Sequence, residues 1–207
     1  MTWQEFTALL VLATAMSFSP GPNTTLSTAL AANGGLRRAM PFVCAVPLGW
    51  STLLLLCALG LGALLLAVPM LALAVKLVGV AYLVWLAFKL SQSRTLGQSE
   101  GETDAARLQV GFWQGVVLQF VNIKAWMLAL AIVSGWVAGR ADTAQRLAVV
   151  VPTMLVFAFA SNLLYATLGS LLRDWLRGPL DTGRRLLGFN RVMAFVLLIT
   201  AFWMLTL

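Results

Sequence analysis

The chain has 207 residues, 60% hydrophobic and only 10% charged, whereas soluble domains are roughly 45–50% apolar and about a quarter charged, so an ordinary water-soluble globule is excluded. At about 20 apolar residues per crossing, this content is enough for roughly six membrane spans and excludes a large extramembrane domain and most soluble enzymes. The net charge of +7 comes from 14 Lys and Arg scattered between apolar runs, which excludes a nucleic-acid surface.

The pattern predicts an all-α integral membrane protein with six transmembrane segments at residues 6–30, 41–66, 69–90, 111–137, 147–172 and 191–207. Residues 1–5 carry no Lys or Arg, and the first apolar run is too long for a signal-peptide core, so it reads as a retained helix. Inside it lies Ser17-Phe18-Ser19-Pro20-Gly21-Pro22-Asn23-Thr24-Thr25. Two prolines flanking a glycine interrupt the helical hydrogen-bond ladder, and such a break is tolerated at membrane depth only where protein or a water-filled cavity satisfies the freed backbone. Pro22 suits the first position of a second half-helix. The N–H groups of Asn23, Thr24 and Thr25 then point into the break with the positive end of the dipole, an arrangement that suits a carboxylate.

The second segment holds both cysteines, Cys44 and Cys57, about 220° apart on a helix and therefore on different faces. A tight joint at residues 67–68 makes segments two and three a helical hairpin. Lys76 follows Pro69 closely enough for its stem to reach the membrane surface, which makes it a weaker candidate. Residues 91–110, with Gly97, Glu100, Gly101, Glu102 and Asp104, read as a flexible linker between a first half, 1–90, and a second half, 111–207, of one membrane domain.

In the fourth segment Gly111, Gly115, Gln119, Asn122, Trp126 and Ala129 recur at helical spacing as a stripe of mostly small and polar residues facing the bundle interior. Lys124 lies near that stripe and far from both interfaces, so it is a functional candidate. The competing reading is a lysine bonded to carbonyls freed by the first break. The fifth segment carries Ala158, Asn162, Tyr165 and Gly169 on one face with Ser161 beside it, a pattern more typical of helix packing than of ligands. The sixth is barely long enough to cross.

Ten Lys and Arg (37, 38, 89, 94, 107, 173, 177, 184, 185, 191) fall on one side of the six segments and only Arg140 and Arg146 on the other. Both termini are therefore expected to face the periplasm. Three spans per half make the halves inverted repeats. Counted from opposite faces at about 1.5 Å per residue, Asn23 lies roughly 25 Å and Asn122 roughly 16 Å deep, which puts both at nearly one level in a membrane about 40 Å thick. No Asp or Glu lies inside a segment and the chain has no His, which disfavours a metal site. No phosphate-binding glycine loop is present, which disfavours ATP hydrolysis. No cofactor is expected.

These motifs resemble the LysE/RhtB superfamily of bacterial amino-acid exporters. The resemblance rests on Ser19-Pro20-Gly21-Pro22-Asn23, on Lys76 with Gly79-Val80-Ala81-Tyr82-Leu83, and on Gly111-Phe112 leading to Asn122-Ile123-Lys124. It implies export driven by the proton-motive force, with Pro20, Gly21, Pro22, Asn23, Asn122 and Lys124 in the substrate region. Where the family commonly reads Asn-Pro-Lys this chain has Ile123, so a less sharply broken fourth helix is expected. Where the family often has an acid in helix two, this chain has Gly49-Trp50-Ser51, which argues against a cationic substrate.

The resulting expectation is a bacterial inner-membrane exporter, not an enzyme, of a small neutral amino acid. Alternating access would proceed around a midplane site between segments one and four. Pro20, Gly21, Pro22, Asn23, Thr24 and Thr25 would form the break and its carboxylate site, Lys124 would add positive charge, and Asn23, Asn122 and Asn162 would supply hydrogen bonds. Lys124, then Lys76, are the coupling candidates. Expected partners are the amino acid, protons and the lipid bilayer, with a homodimer left open. The rival readings are a basic amino-acid exporter of the same fold and a thiol-disulfide carrier using Cys44 and Cys57.

Overall fold

A computed structural model of the chain describes residues 1–93, 110–178 and 183–206. The predicted linker lies almost wholly outside the described residues, as do Arg94 and Arg107. All regular elements among the described residues are helical. They are α1 (Trp3–Phe18), α2 (Pro22–Gly34), α3 (Leu36–Ala58), α4 (Leu61–Ala67), α5 (Pro69–Gln92), α6 (Phe112–Val121), α7 (Ile123–Ile132), α8 (Thr143–Arg177) and α9 (Arg184–Thr206), with a widened turn at Val133–Val137 continuing α7.

Among the described residues α3, α5, α8 and α9 are each long and apolar enough to cross a bilayer, and the bent pair α6–α7 makes a fifth crossing if counted as one span. The chain is thus a multi-span membrane protein. The first apolar segment is divided between α1, with 16 residues, and α2, with 13. Each alone is roughly 20–24 Å long, short of the roughly 30 Å hydrocarbon core.

Three sequence expectations need correction. The second segment does not run from 41 to 66: α3 starts at Leu36 and ends at Ala58, and the chain turns at Gly60, whose φ of 107° favours glycine, before the short α4. Hydropathy marks where lipid begins, whereas the helix itself continues outward through the exposed Arg37 and Arg38. For the same reason α9 has 23 residues and is not marginal. The fourth helix is sharply broken despite lacking a proline, since α6 and α7 meet at 68°. Asn122 is extended at the bend (φ −93°, ψ 101°). Its carbonyl accepts the Ala125 and Trp126 amides at 2.8 and 3.2 Å, and the Trp126 indole donates to the Phe120 carbonyl at 2.7 Å. Protein groups satisfy the freed backbone, which is what membrane depth requires.

In packing, α2 lies chiefly on α8, α5 on α9, and α3 on both α6 and α8. The buried residues form two main apolar clusters. One contains Leu26 and Leu30 of α2, Phe42, Val43 and Val46 of α3, Ala166 of α8 and Leu197 of α9. The other contains Leu9 and Ala13 of α1, Trp50 and Leu53 of α3, Ala129 and Ile132 of α7, and Val150 and Met154 of α8. Large apolar side chains such as Met70, Leu77, Phe88, Leu171 and Phe202 point outward. That is the arrangement expected when lipid is the solvent and burial of apolar surface no longer drives helix association.

Opposite ends of the bundle are tied differently. At one, Arg146 pairs with Asp142 at 2.7 Å and with Glu5 at 3.2 Å, while the N-terminal amine lies 3.5 Å from Asp142. The Thr2 amide and then Arg146 hold the Glu5 carboxyl below the usual carboxylate range, and Arg146 does the same for Asp142. At the other, Asn33 and Asn190 exchange hydrogen bonds at 2.8 and 3.0 Å, and Ser93 donates to Asn33 at 3.2 Å, joining α2, α9 and the end of α5.

Candidate functional site

The two helix breaks open onto one cavity, placed between the two apolar clusters. On α3 its lining residues Val46 and Trp50 belong one to each cluster, and on α8 Ala158, Ser161 and Asn162 fall between Met154 of one and Ala166 of the other. The cavity measures about 60 Å³. One water needs roughly 10–15 Å³ of this measure, so the space suits a small solute rather than a large one.

The first break follows from its sequence. Ser19 is extended (ψ 141°), as is Gly21, and neither Pro20 nor Pro22 can donate to the ladder. Thr24 folds its hydroxyl back, accepting from the Gly21 amide at 3.0 Å and donating to the Gly21 carbonyl at 3.1 Å. At the N-terminus of α2 the Thr25 amide already donates to the Gly21 carbonyl at 2.9 Å. Of the three amides expected to point into the break, only those of Asn23 and Thr24 therefore precede the helical ladder, and the positive end of the dipole faces the break there.

Lys124 reaches this break from α7. Its ammonium donates to Ser19 Oγ at 2.7 Å and to the Ser19 and Pro20 carbonyls at 3.3 and 3.4 Å. It thus compensates the negative C-terminal end of α1 while still lining the cavity. Gly21 leaves room for it: a Cβ there would stand 3.2 Å from Lys124 Nζ.

The amides are unequally engaged. Asn23 donates to Gln119 at 2.9 Å and accepts from it at 3.1 Å, locking α2 to α6. Asn162 accepts from Ser27 at 2.8 Å and donates to the Ala158 carbonyl at 2.8 Å. Tyr165 donates to the Phe18 carbonyl at 2.9 Å, another backbone group freed by the first break. Asn122 Oδ1 and Trp50 Nε1, by contrast, are buried and have no hydrogen-bond partner among the described residues.

Of the residues predicted from sequence, Gly21, Pro22, Asn23, Thr24, Asn122, Lys124 and Asn162 line the cavity. Pro20 is exposed and Thr25 is buried, and both lie off its wall. Lys76 is on α5, no residue of which lines the cavity. Sequence reasoning did not single out Met16, Ser17, Val46, Trp50 or Met154 as lining residues. An indole among apolar residues carries no ligand signal until its partners are known. Cys44 is exposed and Cys57 buried on α3, both as free thiols.

Three comparisons bear on the site. The sequence model of the family described as LysE type translocator matches residues 14–207. A protein of Escherichia coli (strain K12) named cysteine/O-acetylserine efflux protein is 29% identical over 190 residues, 92% of this chain and 91% of the relative. Its namesake in Salmonella choleraesuis (strain SC-B67) is 28% identical over 185 residues, 89% of each chain. No solved structure matches the chain.

Proposed function

The chain belongs to the LysE type translocator family, and from that premise we propose that it exports a small neutral amino acid, of the cysteine or O-acetylserine kind, across the bacterial inner membrane. The observation that carries the reading is the meeting of both helix breaks in one small cavity whose only charged lining residue, among the described residues, is Lys124. A carboxylate is served by the α2 N-terminus and by the Lys124 charge. With no acid on the wall, a cationic side chain would have no counter-ion, which favours a neutral solute. Met16, Val46, Leu128 and Met154 supply the apolar part of the wall, and the thioethers adapt readily to short side chains.

In this reading α1–α2 and α6–α7 are the first spans of two inverted three-span halves, and both termini face the periplasm. Export is driven by the proton-motive force, with Lys124 as the group that exchanges a proton. The site between the halves opens to each side in turn.

The test is efflux from proteoliposomes loaded in parallel with radiolabelled cysteine, O-acetylserine, threonine, leucine, lysine and arginine, with and without a pH gradient. Small neutral amino acids should leave fastest, and faster with the gradient. Preferential loss of lysine or arginine would overturn the neutral-substrate reading, and retention of all six would overturn the export reading.

A further inference from the structure

The tryptophans divide by how their indole N–H is used. Trp126 and Trp50 are equally buried, at 5% and 4% exposure, in the same apolar cluster. Trp126 donates to the Phe120 carbonyl at 2.7 Å, and the partly buried Trp136 donates to the Glu5 carbonyl at 2.8 Å. Trp50 Nε1 alone among these three lacks a protein acceptor among the described residues. Buried tryptophans ordinarily find a partner for this group, which can only donate, and a buried donor left unpaired is costly. Packing alone does not account for an indole here, since a phenylalanine would fill an apolar cluster without that cost.

Trp50 also lines the cavity, and so does Asn122, whose Oδ1 is the second unpartnered buried atom on its wall. Among its fully buried described atoms the wall therefore offers one unused donor and one unused acceptor, while the nearby amides of Asn23 and Asn162 already hold Gln119, Ser27 and Ala158. A solute that satisfies both, inside one cavity of about 60 Å³, needs an acceptor and a donor in one small molecule. The head group of an α-amino acid provides them on one carbon, as a carboxylate oxygen and an ammonium.

We infer that the Trp50 indole N–H binds the solute carboxylate from α3 while Asn122 Oδ1 accepts from its ammonium, so that the two read the head group shared by all α-amino acids and leave the side chain to the apolar wall. This rests on the amino-acid reading above. It adds α3 to the site, so that the carboxylate is held between the α2 N-terminus on one side and the indole on the other.

The experiment measures transport constants of the parent and of Trp50→Phe, which keeps an aromatic ring and removes the N–H, in proteoliposomes for cysteine, O-acetylserine and threonine. The inference predicts a KM raised by about tenfold, as for a lost hydrogen bond to a charged group, in the same proportion for all three and with kcat within about twofold of the parent. An unchanged KM overturns it. A KM raised for one amino acid only also overturns it, because the N–H would then be reading a side chain. If Trp50→Phe does not yield folded protein, 3-benzothienylalanine at position 50 keeps the bicyclic shape and replaces the N–H by sulfur, with the same two outcomes. Failure of the parent to move any of the three amino acids would instead overturn the function on which the inference rests.

Discussion

Lys124 stands where the two breaks face each other. Its ammonium is half-buried, and its contacts are the Ser19 hydroxyl and two carbonyls that α1 can no longer use. Hydrogen bonds to a charged group are worth about 1.5–3 kcal/mol each, so the lysine both ties α7 to the end of α1 and brings a positive charge to the cavity wall. Of the two readings open in the sequence, the clamp on freed carbonyls is what the contacts show, and service to the solute remains the proposal. Lys124→Met keeps the stem and removes the charge. It should lower transport per molecule by at least about tenfold while expression and the size-exclusion profile stay near those of the parent. Transport equal to the parent's would remove Lys124 from the mechanism. At this scale the sequence revealed residue types but not their engagement. Asn23, Asn122 and Asn162 look alike as intramembrane amides, yet Asn23 and Asn162 are taken up by Gln119, Ser27 and Ala158 while Asn122 Oδ1 is free among the described residues.

The two bends were unequally legible among the elements. That at Pro20–Pro22 is local covalent chemistry, two missing N–H groups around a glycine, and any window containing it reports a break. That at Asn122 has no such marker. It is held by the Trp126 indole on the Phe120 carbonyl and by the close approach of α5, where Gly79 faces Val121 so tightly that an added Cβ would fall on the Val121 carbonyl oxygen. Neither contact can be read from a linear pattern, which is why Ile123 in place of a proline suggested a milder bend. Gly79→Ala should therefore push α5 away from α6 and lower stability by about 1–3 kcal/mol, as overpacking does. This would be seen as a lower thermal midpoint for the detergent-solubilised protein. A midpoint within a degree of the parent's would mean that the bend does not depend on this contact.

For the whole molecule, the arrangement that matters is a polar layer between two apolar clusters. Along α3 and α8 the clusters divide near Val46–Trp50 and between Met154 and Ala166, and the cavity occupies the division. An ion-pair group ties one end of the bundle and an asparagine pair ties the other. The sequence anticipated that the two breaks would meet, because counting residues from opposite faces brought Asn23 and Asn122 to one depth, and both do line the cavity. The resemblance marks Gly49-Trp50-Ser51 only for the acid it lacks, and it did not anticipate that Trp50 itself lines the same layer, since an indole among apolar residues shows no partner in sequence. The claim on which everything else depends is that this layer is the solute's path, and it is tested most directly by cysteines at positions 23 and 122 in a background lacking Cys44 and Cys57. A bifunctional thiol reagent spanning about 10 Å should join the pair in membranes, and added cysteine-like amino acid with its thiol blocked should slow the joining in proportion to occupancy. If the pair joins at the same rate with and without saturating amino acid, or never joins while a control pair between the packed helices α5 and α9 joins readily, the shared site between the two breaks is contradicted.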